Sequence, residues 1–234
     1  MIITKAHLSR AAGTQGSLAK VLLSGGNGDR NHGLVWSLFS RPDEPARDFL
    51  FRQIEPGAFI VVSERPPDDP HGLWTIGEPK PYAPNLTAGD RLGFVLRANP
   101  TVAVPQPGAK RGKRVDVIMH AKSKLDREQR ADFCADGARG VALDWLIKRG
   151  PTIGAEFDAA ACDATGYIQV KIPRGPNDPN RPSRASGKNV IEFSEIDFEG
   201  VLTVTDPEKL CAALFKGIGK AKAYGCGLMM VRRV

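Results

Sequence analysis

Side chains able to exchange protons near neutral pH are scarce in this chain. There are four histidines, His7, His32, His71 and His120, and an imidazole titrating near pH 6.5 can give or take a proton in the physiological range. His32 stands apart from the other three. It begins HGLVWSLF (32–39) directly after the glycine-rich loop GGNGDRN, and Trp36 follows four residues later. His7 falls in a strand-like run, His71 in a proline-rich loop and His120 just after a strand-like run. Those contexts are ordinary for core or surface histidines. No Asp/Glu/His set has the spacing of metal ligands, so a metal-dependent hydrolase is disfavoured. Cys134, Cys162, Cys211 and Cys226 form no CxxC pair, which indicates neither a zinc site nor a disulfide framework. The expected metal and cofactor complement is therefore none.

Cations are the second chemically informative class. Lys and Arg number 33 against 26 Asp and Glu, a formal net charge of +7. KRGKR groups Lys110, Arg111, Lys113 and Arg114, and RGPNDPNRPSRASGK (174–188) spreads Arg174, Arg181, Arg184 and Lys188 over a loop-like stretch. Lys216, Lys220, Lys222, Arg232 and Arg233 lie near the C-terminus. A single run is usually solvated surface. Three between residues 110 and 233 point to a polyanion, nucleic acid above all.

GIGKAKAYGCG (217–227) sets Gly217, Gly219, Gly225 and Gly227 around Lys220 and Lys222. It is not a Walker A loop, which needs GxxxxGK[ST], since Leu228 follows Gly227. A dinucleotide fingerprint opens a helix, whereas this stretch ends one and leads into a strand. Gly217 or Gly219 serves as a helix stop. The remaining glycines imply close backbone approach to a neighbour that a Cβ would block, and the two lysines make a phosphate-bearing polymer a reasonable neighbour.

These groups must be carried by a globular frame, because 41% of residues are hydrophobic and 25% charged, an ordinary balance for packed domains. MIITKAHL reads as a strand, SLAKVLL (17–23) as a short helical piece and HGLVWSLF as a helix that RPD stops. RDFLFRQ, AFIVVSE and DRLGFVLRANP read as strands, giving a β-α-β-β-(α)-β order within residues 1–100, the ferredoxin-like plan. Residues 101–114 read as a linker with a basic end. VDVIMH then begins a second such unit over 115–234, with a helix at GVALDWLIKRG and strands at 166–172, 189–198 and 200–205. A helix with Thr205 and Glu208 as capping box and a final strand GLMMVRRV complete it. The expected fold class is α+β, two tandem ferredoxin-like domains.

With these segments in order along the chain, the resemblance becomes specific. HGLVWSLF, RPDEPARDFLFR, FVLRANP, SGK before a strand, FEGVLTVTD and GIGKAKAYGCGL together resemble the CasE family, the endoribonuclease subunits of type I-E Cascade complexes. The resemblance implies two ferredoxin-like domains that hold the stem-loop of a CRISPR repeat transcript and cut at its 3′ base without metal. It leaves a 2′,3′-cyclic phosphate, with the protein staying on the product hairpin beside other Cascade subunits. It assigns catalysis to His32 and RNA contacts to Lys110, Arg111, Lys113, Arg114, Arg181, Arg184, Lys188 and the glycine stretch. Family members often carry a tyrosine three residues before the histidine, where this chain has Asp29, so the second catalytic group is unassigned. A non-cutting crRNA-binding subunit, or a general basic RNA-binding protein of this fold, remains as an alternative. No apolar run reaches the roughly 20 residues of a membrane span and no secretory signal is present, so a cytoplasmic protein, monomeric when isolated, is expected.

Overall fold

The structure, a computed structural model, describes residues 1–9, 27–39, 47–70, 72–133, 135–173 and 190–234, without the side chains of 27–30 and 135. The expected helix at 17–23, the RPD stop, His71, Cys134, Arg174, Arg181, Arg184, Lys188 and the side chain of Asp29 lie outside the described residues. The first elements are β1 (Ile2–Leu8), α1 (Asn27–Trp36), β2 (Phe49–Glu55), β3 (Ala58–Ser63), β4 (Trp74–Ile76) and β5 (Lys80–Pro81). Then come β6 (Arg91–Ala98), β7 (Thr101–Val104), β8 (Lys113–Asp116), α2 (Val117–Ser123), α3 (Arg127–Asp132), α4 (Ala135–Ile147), α5 (Gly150–Ile153) and β9 (Ala155–Phe157). β10 (Asp163–Pro173), β11 (Val190–Val204), α6 (Pro207–Lys216), a 3-10 turn (Lys222–Tyr224) and β12 (Met229–Arg233) close the chain.

Two compact units divide these elements: residues 1–83, 169–193 and 222–225 form one, and 84–168, 194–221 and 226–234 the other. In the first unit the strand order is β2-β3-β1-β4, with β5 also beside β1. β1 runs antiparallel to β3 from Ile2 opposite Ser63 to His7 opposite Ala58. The apolar face of α1 and the turn after it, Leu34, Val35, Leu38 and Phe39, pack in one core with Phe49, Phe51, Phe59 and Trp74. Trp74 Nε1 donates to Ser37 Oγ at 3.0 Å, tying β4 to the end of the helix.

The second sheet repeats the pattern as β10-β11-β6-β12, with β9 on β11. Numbered within each unit, both sheets run 2-3-1-4, the ferredoxin-like order. The sequence reading placed the strand at 90–100 in the N-terminal domain, but its partners are β11 and β12. Strict alternation explains the placement: Leu92, Phe94, Leu96 and Ala98 are buried in the core of the second unit. β4, only three residues long, takes the fourth position of the first sheet instead.

Four further expectations change. Residues 101–114 are not a linker, since β7 and β8 pair as an antiparallel hairpin from Thr101 opposite Asp116 to Val104 opposite Lys113. VDVIMH is not one strand. Asp116 accepts a hydrogen bond from Met119 N at 2.6 Å and caps α2, so the run splits between the end of β8 and a helix start. The strands read at 189–198 and 200–205 are the single β11, crossing Gly200 at φ +152°. Finally, the cap of α6 is Asp206, whose carboxylate accepts from Lys209 N at 3.1 Å, with Pro207 in the first turn.

Candidate active site

α1 begins at Asn27, so His32 lies within the helix rather than at its start. Residues four apart share a helix face, which brings His32 and Trp36 together: their ring centroids are 5.8 Å apart, inclined at 45°. Leu34, Val35 and Leu38 seat the helix in the core, and the imidazole is half-buried with Nδ1 enclosed. Beside it, Asn31 Nδ2 donates to Gln53 Oε1 at 2.9 Å, fastening the helix to β2.

A second ring approaches His32 from the glycine stretch. Tyr224, in the 3-10 turn, has its centroid 6.0 Å from that of His32 at 50°, and Phe193 stacks on Tyr224 at 5.0 Å and 23°. Arg47 lies in the same unit. Burial pulls its guanidinium below the ordinary value, and Tyr224, once ionised to a phenolate, works in the opposite direction. Arg47 also sits 5.8 Å over the Phe49 ring. Trp36 and Tyr224 thus flank His32, the group of this cluster able to exchange a proton near neutral pH.

The glycines are explained by the fold. Gly217, Gly219, Gly225 and Gly227 have φ of +74°, +84°, +87° and +95°, a region costly for residues with a Cβ. Gly225 and Gly227 are buried, and the close neighbour of Gly225 is Phe51, whose Cε2 would lie 3.1 Å from an added Cβ. The sequence reading expected a phosphate-bearing polymer at that distance; the chain's own aromatic ring is there. In the second unit, Gly219 faces Trp145, and Gly227 N donates to Arg97 O at 2.7 Å. Lys220 is exposed and bridges to Asn99, while Lys222 is half-buried in the turn.

Lys110, Arg111, Lys113 and Arg114 are all exposed, at the turn and on β8 of the hairpin in the second unit. Near Arg114 is Arg149, which the sequence alone does not single out. Its guanidinium lies 3.8 Å over the Trp145 ring, and Trp145 Nε1 donates to Thr101 O at 3.1 Å. Burial and then the charge of Arg114 push the Arg149 pKa down. Like charges held this close favour an anion beside them. The signals in the sequence were faint: Arg149 follows Trp145 by one helical turn, while Tyr224 and Arg47 lie inside segments singled out for other residues.

A family model described as CRISPR associated protein matches residues 2–233. The chain belongs to that family. Among curated relatives, the CRISPR-associated endoribonuclease Cse3 of Thermus thermophilus is 31% identical over 201 residues, 85% of this chain and 79% of the relative. The CRISPR system Cascade subunit CasE of Escherichia coli K12 is 27% identical over 205 residues, covering 85% and 88%. A solved structure of the endoribonuclease Cse3 bound to a 19-nucleotide RNA matches 99% of this chain and 100% of its own, at 27% identity and a TM-score of 0.68. The CasE-type resemblance read from the sequence and the tandem ferredoxin-like fold both hold for this CRISPR-associated chain.

Proposed function

We propose that this chain is an endoribonuclease of CRISPR RNA maturation, cutting repeat transcripts at the 3′ base of their stem-loop and keeping the product hairpin as a subunit of a Cascade assembly. Support comes from the curated relatives, one named an endoribonuclease and the other a Cascade subunit. The observation that carries the chemistry is His32, half-buried on a helix face between a core anchor and two aromatic neighbours.

In this reaction the O2′ proton leaves, O2′ bonds to the adjacent phosphorus, and the bond from phosphorus to the 5′ oxygen breaks. That oxygen takes up a proton. The products are a 2′,3′-cyclic phosphate and a free 5′ hydroxyl, and atoms and charge balance without any metal. The imidazole of His32 serves one of the two proton transfers. Charge growing on the non-bridging oxygens is met by nearby cations, with Arg47 and Lys222 as the candidates in the same unit. Lys110, Arg111, Lys113, Arg114 and Arg149 hold the stem through its phosphates, the mode by which A-form RNA is mostly read; Arg181, Arg184, Lys188 and Lys220 extend that contact. No helix among the described residues is long and apolar enough to cross a membrane, and we place the protein in the prokaryotic cytoplasm, where the transcripts arise.

Incubation of the full chain with a labelled hairpin of the neighbouring array's repeat, in EDTA, tests the reading. We expect a cyclic-phosphate product, no cutting of a hairpin 2′-deoxy at the scissile nucleotide, and no cutting by His32→Ala at near-unchanged affinity. Binding without cutting by the wild type would leave a structural subunit; cutting by His32→Ala would remove His32 from the centre.

A further inference from the structure

We propose that Tyr224 is a positioning residue for His32, its ring and that of Trp36 together fixing the imidazole in one orientation ready for proton transfer. This rests on the endoribonuclease reading of His32. Phe193, Tyr224, His32, Trp36 and Phe49 form a continuous series of ring contacts with centroid separations of 5.0, 6.0, 5.8 and 5.5 Å. Phe49 roots the series in the core. His32 is the member whose proton is exchangeable near neutrality.

The glycine stretch is shaped to deliver Tyr224 to this place. Gly225 N donates to Lys222 O at 3.3 Å, closing the turn, and the buried Gly225, at φ +87°, lets that turn settle against Phe51. A side chain at 225 would press on the Phe51 ring and push Tyr224 away from His32.

Two physical effects follow. An imidazole on a partly open helix face would otherwise sample several rotamers, and only some aim a ring nitrogen at the reacting oxygen; aligning it in advance is a large part of what an active site contributes. Aromatic faces also favour a cation over a neutral ring, so Tyr224 stabilises the imidazolium that exists on one side of either proton transfer. Both effects act on the chemical step and neither requires contact with RNA.

Single-turnover cutting of the repeat hairpin by the full chain, beside the affinity for a 2′-deoxy hairpin that cannot be cut, separates this role from a structural one. We expect Tyr224→Phe to cut within about threefold of wild type, and Tyr224→Leu and Tyr224→Ala to be slowed roughly 10- to 100-fold, with affinity within about threefold for all three. Leucine keeps most of the volume, so its variant tests the ring rather than the packing. The proposal is overturned if Leu cuts like wild type, if Phe is as slow as Leu, or if affinity falls in step with rate. Failure of the wild type to cut would overturn the endoribonuclease reading and this one together.

Discussion

Arg97 meets two carboxylates on β11. It holds Asp197 through paired hydrogen bonds of 3.1 and 2.6 Å, while Glu195 lies 3.8 Å from Nη1. Burial raises the Glu195 pKa, and Arg97 opposes that only in part. A carboxyl whose folded value is raised contributes stability that is present below its unfolded value and is lost as pH climbs through the folded one. Glu195→Gln removes the buried charge and leaves the Arg97–Asp197 pair intact. We therefore expect the variant to melt higher than wild type at pH 7, the gap narrowing as pH is lowered towards the unfolded carboxylate value of about 4.3. A lower melting point for the variant at pH 7 would mean that the contact with Arg97 outweighs burial. Residues of this kind show how unevenly a site can be read from sequence. His32 stood out as a candidate because its chemistry is rare in the chain and its helix context unusual. Tyr224, Arg47 and Arg149 did not, because what singles them out includes neighbours distant in sequence: His32 for Tyr224, Tyr224 for Arg47, and Thr101 and Arg114 for Arg149.

At the scale of elements, the β7–β8 hairpin turns a stretch that looked like a linker into a rigid carrier of charge. Its strands are four residues each, too short for period-two alternation to show, and the prolines and glycines between them mask the pairing. Its root is firm, since Trp145 and Arg149 both donate to Thr101 O. Each phosphate contact made by a cation adds roughly 0.7 to 0.9 to the slope of log affinity against log salt. Replacing Lys110, Arg111, Lys113 and Arg114 with Ala should accordingly flatten that slope by up to about 3 and weaken hairpin binding at low salt. The rate of cutting by the bound complex should change little, as His32 belongs to the other unit. An unchanged slope would take the hairpin off the RNA. In contrast, α6 and β1 were legible almost to their ends: proline in the first turn and glycine beyond the last in the one, β-branched alternation in the other.

For the whole molecule, fold class was readable and the division between units was not. Composition and element order are enough to indicate two ferredoxin-like folds, but each helix and strand must also choose a sheet, and that choice is made by pairing between residues distant in the chain. β6 bears the consequence. A fragment of residues 1–100 contains β6 without β11 and β12, so Leu92, Phe94, Leu96 and Ala98 would face water, where each large apolar side chain forfeits about 1.5–3 kcal/mol of burial. The same fragment lacks residues 169–193 and 222–225, which complete the first unit and include Phe193 and Tyr224. We expect this fragment, although it carries His32, to be unfolded or aggregated by circular dichroism and gel filtration, and to leave the repeat hairpin whole. A monomeric, folded fragment that cuts would show that β6 can complete the first sheet and that His32 acts without Tyr224; either result would require redrawing both the unit boundary and the site.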